Sequence, residues 1–207
     1  MPKIRKGSTM LIRFLTTIFL SLTFASLATA HHDTNHGEEA AQATIGPVID
    51  APAPAFSGVS MSGDAISLEN VAGAQGTIIV FVRSADWCPF CKRQLIELSG
   101  VASGFADKGW ETVGISYDSP EKLENFSGSS NISFPLVSDT NSSTIKAFGL
   151  LNEEVNPESR SFGIPHPAVV FIDSTGVVKA VLREEGYRTR PSVESISAIV
   201  EKLSATD

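Results

Sequence analysis

Residues Thr77–Arg83 read TIIVFVR, and the chain runs on through Ser84-Ala85-Asp86 into Trp87-Cys88-Pro89-Phe90-Cys91. A continuous β-branched and aromatic run of this kind is the pattern of a strand buried on both faces. From Cys88 onward Leu95, Leu98, Ala102 and Phe105 recur at helical spacing, and Gly109 marks the end of that segment. The two cysteines therefore stand where a strand turns into a helix. Unpaired backbone N–H groups and the positive end of the helix dipole favour an anion there.

Working outward, the same pattern repeats. A strand is expected at Glu111–Ser116, a helix from Ser119 or Pro120 to Phe126, a strand at Ile132–Ser138 and a helix at Ser142–Phe148. Such alternation predicts an α/β sheet with parallel neighbours. The stretch 150–165 has little periodicity and delivers the chain to AVVFID at Ala168–Asp173. A Ser174-Thr175-Gly176 turn and Val177–Leu182 follow, which reads as an antiparallel hairpin at the sheet edge. Pro191 suits the first turn of a last helix whose Val193, Ile196, Val200 and Leu203 share a face. Before the central strand, 48–68 alternates around Ser62-Gly63-Asp64 and suggests an N-terminal hairpin.

At the N-terminal end, Lys3, Arg5, Lys6 and Arg13 precede an uncharged run, Phe14–Ala30, that closes on Ala28-Thr29-Ala30. This is the layout of a cleaved secretory signal, residues 1–30; a membrane anchor needs about 20 apolar residues, and this run is shorter and interrupted by Ser and Thr. Residues 31–46 are polar and aperiodic, a leader, and the domain proper is expected at 47–207. Losing the signal removes four cations and leaves 12 basic against 23 acidic residues, a net charge of −11. An acidic domain repels phosphate backbones, so nucleic acid is not expected as a partner, nor a membrane after cleavage. The expected location is exported, periplasmic or secreted, where cysteines tend to be paired.

The chain has two cysteines, three residues apart. A thiol at Cys88 on the helix terminus should ionise readily, attack a disulfide and hand the mixed disulfide to Cys91 one turn deeper. Pro89 presets the first helical φ. Two alternatives stand beside this. A structural bridge across so short a loop constrains the unfolded chain by only about 2 kcal/mol. Half of a zinc site would need completion by His31, His32, His36 or His166, because no second cysteine pair exists.

Trp87-Cys88-Pro89-Phe90-Cys91 after a buried strand, with Ile164-Pro165-His166-Pro167-Ala168-Val169-Val170-Phe171-Ile172-Asp173 later, resembles the thioredoxin superfamily. Within it the chain is most similar to the peroxiredoxin-like alkyl hydroperoxide reductase and thiol-specific antioxidant (AhpC/TSA) proteins. FVRSADWCPFCKRQL, LVSDTNSSTIKAFGL, PAVVFIDSTG and GYRTRP support the likeness, which covers about Pro47 to Ser204. It implies a thioredoxin-like α/β fold with a central mixed sheet, flanking helices and an N-terminal hairpin. It also implies that Cys88 is the nucleophile, that Cys91 resolves, and that Pro167 is a cis-proline facing the dithiol. His166 would present its backbone to a bound thiol or peptide. Trp87, Pro89 and Phe90 would border the substrate, with Trp87 either shielding the sulfurs or lying in a packed turn. Pro167 as an ordinary strand-start proline and His166 as a plain loop histidine are the bland alternatives.

The sequence also departs from its relatives. Where peroxiredoxins carry a proline, a threonine or serine and an arginine around peroxide, this chain has Phe81, Ala85 and Pro167. Arg83 could orient an oxygen or stabilise the Cys88 thiolate, or be a solvated strand-end charge. Where thioredoxins carry a buried aspartate, it has Val82, and Asp86 and Asp118 are the nearest carboxyls for the deeper thiol's proton. The expectation is thus an exported thiol-dependent oxidoreductase cycling Cys88–Cys91, acting on protein or small-molecule thiols and disulfides. The alternative is a thiol-dependent peroxidase with antioxidant activity, and a remote one is a copper chaperone using the HHDTNH leader. No cofactor is expected.

Overall fold

The computed structural model describes residues 45–186 and 188–205. The expected signal and almost all of the leader lie outside them. In chain order the elements are β1 (Ser57–Val59), β2 (Ala65–Ser67), one 3-10 turn (Leu68–Val71), β3 (Gly76–Phe81), α1 (Pro89–Ser99), α2 (Ala102–Ala106), β4 (Trp110–Ser116) and α3 (Pro120–Ser130). They continue with β5 (Leu136–Ser138), α4 (Ser143–Ala147), β6 (Ala168–Asp173), β7 (Val178–Arg183) and α5 (Val193–Ser204). The strands form one mixed sheet in the order β2-β1-β5-β4-β3-β6-β7. β3, β4 and β5 are parallel neighbours, while β6 runs antiparallel to β3 and carries β7 at the edge. This is the thioredoxin-like α/β sheet that the sequence led us to expect, hairpin included.

The apolar run of β3 has a physical outcome on each face. Ile78 and Val80 enter one core with Leu95 and Leu98 of α1, Leu123 and Phe126 of α3, and Ile196 and Val200 of α5. Ile79 and Phe81 enter the other core with Ile145 of α4, Phe148 and Leu150. Successive side chains of a strand point to opposite faces, so a strand covered on both sides must be apolar throughout. Gly114 of β4 allows α1 its close seat: a Cβ there would stand 2.6 Å from Leu136 Cδ2 and 3.3 Å from Leu95 Cδ2.

Several boundaries differ from expectation. The helical spacing from Cys88 to Gly109 suggested one helix, but Gly100 and Val101 break it into α1 and α2. Val101, at φ −125° and ψ −9°, leaves the helical region although the apolar spacing continues across it. β5 is only Leu136–Ser138, because Pro135 has no N–H to give to a ladder. α3 runs on past Phe126 to Ser130 and ends at Asn131 in the left-handed region. Pro191 precedes the last helix rather than opening it: Ser192 is the cap, its hydroxyl accepting from the Ser195 N–H.

Candidate functional site

The turn between β3 and α1 is organised from below by Asp118, a buried carboxylate that follows β4. It accepts from Ser84 Oγ at 2.8 Å, from the Ala85 N–H at 2.6 Å and from Ser116 Oγ at 2.8 Å. Ser84 Oγ in turn accepts from the Asp86 and Trp87 N–H groups at 3.0 and 3.1 Å. A loop at the edge of a core carries donors that water cannot reach, and this network supplies their acceptors. Its product is a fixed exit direction for Cys88.

Cys88 caps α1. Its Sγ accepts from the Cys91 N–H at 3.3 Å, and its carbonyl accepts the Lys92 N–H at 3.0 Å. Pro89, at the first helical position, has no N–H to leave unpaired. Cys88 and Cys91 are joined as a disulfide and both are fully buried.

Two guanidinium groups close on the sulfurs. Arg83 Nη2 lies 3.6 Å from Cys88 Sγ, and Arg190 Nη2 lies 3.7 Å from Cys88 Sγ and 3.3 Å from Cys91 Sγ. Arg190 is half-buried; burial, and then repulsion from Arg83 and Arg93, brings its guanidinium down to about 10. It remains a cation at neutral pH, and a thiolate formed beside it gains a charge-assisted partner in a poorly hydrated place. Of the two readings of Arg83, solvated charge or sulfur neighbour, its placement is the second.

Other expected residues fall as follows. Trp87 is 38% exposed. Its indole N–H donates to Tyr117 Oη at 3.0 Å, and Arg83 lies over its ring at 5.5 Å from the centroid. Tyr117 Oη donates to the Arg160 carbonyl at 3.2 Å, so the indole is tied to the loop that crosses above. Phe90 is half-buried, packs on the core shared by α1 and α5, and has Arg93 over its ring at 5.6 Å.

His166 and Pro167 enter β6, and the pairing of Ala168 with Phe81 sets that entry against the end of β3. No peptide bond among the described residues is cis, so the expectation of a cis-proline at Pro167 is corrected: the bond is the ordinary trans form. The His166 N–H donates to the Leu150 carbonyl at 2.7 Å. That donor is spent inside the chain and is not offered to a substrate. The His166 imidazole is held below its usual pKa by burial and by the Arg183 charge, with Glu154 opposing.

Of the two carboxyls considered for proton transfer, Asp118 has both oxygens engaged in the turn. Asp86 forms a surface ion pair with Lys122 at 2.7 Å, and that hydrogen bond lowers its carboxyl below the usual range. Phe81 is buried in the core, and the Ala85 N–H is held by Asp118. Among the described residues no cluster of three or more His, Cys, Asp or Glu side chains gathers as a metal site; the HHDTNH leader lies outside them. Arg190 was not foreseen. The one signal was its presence in GYRTRP, a stretch noted for family likeness without a role for any of its side chains.

A dithiol capping the helix after an interior strand of a mixed, helix-flanked sheet is the site layout of the thioredoxin-like class. The chain belongs to the AhpC/TSA family, whose model matches residues 49–181. A Mycobacterium tuberculosis protein named provisionally as a peroxiredoxin is 33% identical over 102 residues, which is 49% of this chain and 64% of that one. This chain thus spans a little under two thirds of that relative's length. Peroxiredoxin Bcp of Escherichia coli is 28% identical over 129 residues, 62% of this chain and 81% of that protein. Among solved structures, peroxidoxin BcpB from Mycobacterium tuberculosis has a TM-score of 0.65 at 19% identity, covering 78% of this chain and 99% of that one. A peroxiredoxin-like protein from Aquifex aeolicus has a TM-score of 0.64 at 24% identity, covering 77% and 90%. These two likenesses carry the fold.

Proposed function

We propose that this protein is an exported thiol-dependent oxidoreductase in which Cys88 and Cys91 cycle between dithiol and disulfide by thiol–disulfide exchange. The observation that carries the reading is the pair of sulfurs at the start of α1 with Arg83 and Arg190 on them. The helix terminus and the two cations favour a Cys88 thiolate, the attacking species. Attack on a substrate disulfide forms a mixed disulfide and expels one substrate thiolate. Cys91, one turn on, then attacks Cys88 Sγ and releases the second. Export rests on the first thirty residues of the sequence. Its partners on this reading are protein or small-molecule thiols and disulfides.

A second reading, thiol-dependent peroxide reduction, is favoured by the same two guanidiniums and by the peroxiredoxin names of the relatives. The Phe81, Ala85 and Pro167 positions lack the usual oxygen-binding groups, yet Arg83 and Arg190 supply positive charge where a peroxide oxygen would develop negative charge. Exchange ranks first because it needs no such oxygen cradle. Second-order rates of the reduced protein with a model disulfide and with hydrogen peroxide, measured on one preparation with Cys88→Ser as control, decide between them. We expect the disulfide rate to be the larger. A peroxide rate that exceeds it and vanishes in Cys88→Ser reverses the ranking.

A further inference from the structure

Arg83 faces two ways. Its Nη2 lies 3.6 Å from Cys88 Sγ, and the residue is also a wall of a cleft of about 340 Å³. That volume is at the small end of ligand sites, which run from about 300 to 1,000 Å³. The other charged walls are Arg183 at the end of β7 and the carboxylates Glu154, Glu184 and Glu185. His166, also in the wall, is uncharged at neutral pH because burial and the Arg183 charge disfavour its cation.

The charges are sorted by depth. Arg183 is half-buried and its Nε is a buried donor with no hydrogen-bond partner among the described residues. Glu154, Glu184 and Glu185 are the more exposed walls. A ligand of one sign would meet like charge at one depth or the other. A ligand with carboxylates inward and an ammonium outward meets opposite charge at both.

We propose, resting on the exchange reading above, that this cleft seats a small zwitterionic disulfide of the amino-acid or short-peptide class beside Cys88. Its carboxylates face Arg83 and Arg183, and its ammonium group faces the glutamates. The dithiol form of the protein gives up two electrons and two protons. Cys88 bonds to one sulfur of the ligand as the ligand's S–S bond breaks, the first half leaves as a thiol, and Cys91 displaces the second half as the Cys88–Cys91 bond forms. The ligand is reduced to two thiols and the protein is oxidised to its disulfide.

The test uses the reduced full-length protein and four disulfides: oxidised glutathione, which carries four carboxylates and two ammonium groups, dithiodiglycolate, which carries two carboxylates and no ammonium, cationic cystamine and neutral hydroxyethyl disulfide. Each rate is divided by that of the same disulfide with dithiothreitol, which removes intrinsic reactivity. Oxidised glutathione should lead each of the others by about tenfold or more, the scale of one charge-assisted hydrogen bond. Arg183→Gln should bring its lead over hydroxyethyl disulfide to within about twofold. Because Arg183 is half-buried, the surface double variant Glu184→Gln, Glu185→Gln is read alongside, and it should shift preference toward dithiodiglycolate. No preference in the unaltered protein, or one untouched by both changes, overturns the cleft assignment while exchange with hydroxyethyl disulfide still upholds the exchange reading. Failure to react with all four overturns both.

Discussion

Arg190 and Cys91 are 99 residues apart in the chain, and Nη2 of the first lies 3.3 Å from Sγ of the second. The loop between β7 and α5 is thereby part of the dithiol site. Gln94, buried on α1, donates from Nε2 to the Pro191 carbonyl at 3.4 Å and holds that loop against the helix that carries the cysteines. A half-buried cation beside the sulfurs stabilises the thiolate more than it stabilises the neutral disulfide.

The reduction potential should show this directly. Arg190→Leu removes a stabiliser of the reduced form, so the Cys88–Cys91 couple should become more reducing by about 30 mV, equivalent to about 1.4 kcal/mol. Equilibration against a glutathione redox buffer measures it. An unchanged or more oxidising potential shows that the guanidinium does not act on the thiolate.

Alkylation of the reduced protein should modify Cys88 before Cys91. Cys88 Sγ has both arginines and the Cys91 N–H beside it, whereas Cys91 has Arg190. The rate for Cys88 should titrate below the free-thiol value of about 8.5, and Arg83→Gln should move that midpoint upward. Slow labelling of both thiols at equal rates refutes the assignment of Cys88 as nucleophile.

Removing the Asp118 carboxylate should be costly to the fold. Asp118→Ala leaves the Ser84 and Ser116 hydroxyls and the Ala85 N–H without their acceptor in a buried place, a loss of roughly 3 kcal/mol or more. Ser84→Ala, which strands the Asp86 and Trp87 N–H groups nearer the surface, should cost about 1 to 2 kcal/mol. Urea unfolding of the two variants gives the order; a Ser84→Ala cost equal to or above that of Asp118→Ala contradicts the arrangement.

Stability should also depend on His166. Its pKa is lowered in the folded protein from the ordinary 6.5, so below that value the unfolded chain binds the proton first. The unfolded state then carries more protons, and stability falls as pH drops through and below 6.5. In His166→Asn this part of the slope should disappear. Chemical denaturation between pH 7.5 and about 5.5 tests it, and parallel curves for the two proteins would rule out the imidazole as the source.

What could be read in the sequence follows from how each signal is encoded. β3 and the start of α1 were legible because a doubly covered strand must be apolar throughout and because Cys88 and Pro89 mark a helix start. The break at Gly100 and Val101 was not, since Leu98 and Ala102 keep their helical spacing across it. Asp118 was noted as a nearby carboxyl, but its role is set by Ser84 and Ala85, which reach it only once β3 and β4 lie side by side. Arg190 had only its place in GYRTRP, which marks a likeness and assigns no role. Its meaning comes from a contact across the whole second half of the domain, and neither period nor spacing records such a contact.

The pairing of Phe81 with Ala168 has a consequence for how this protein can vary. The end of β3 and the beginning of β6 are fixed to one another by sheet register, so the residues that leave one strand and enter the other stay opposed whatever connects them. The connecting chain between Gly149 and Pro165 carries the Leu150 carbonyl that holds His166 and the Arg160 carbonyl that holds Tyr117, so changes in it act on what borders the dithiol. Descendants of one ancestor can change what the dithiol meets by rewriting that stretch, while the reacting atoms remain where the sheet holds them.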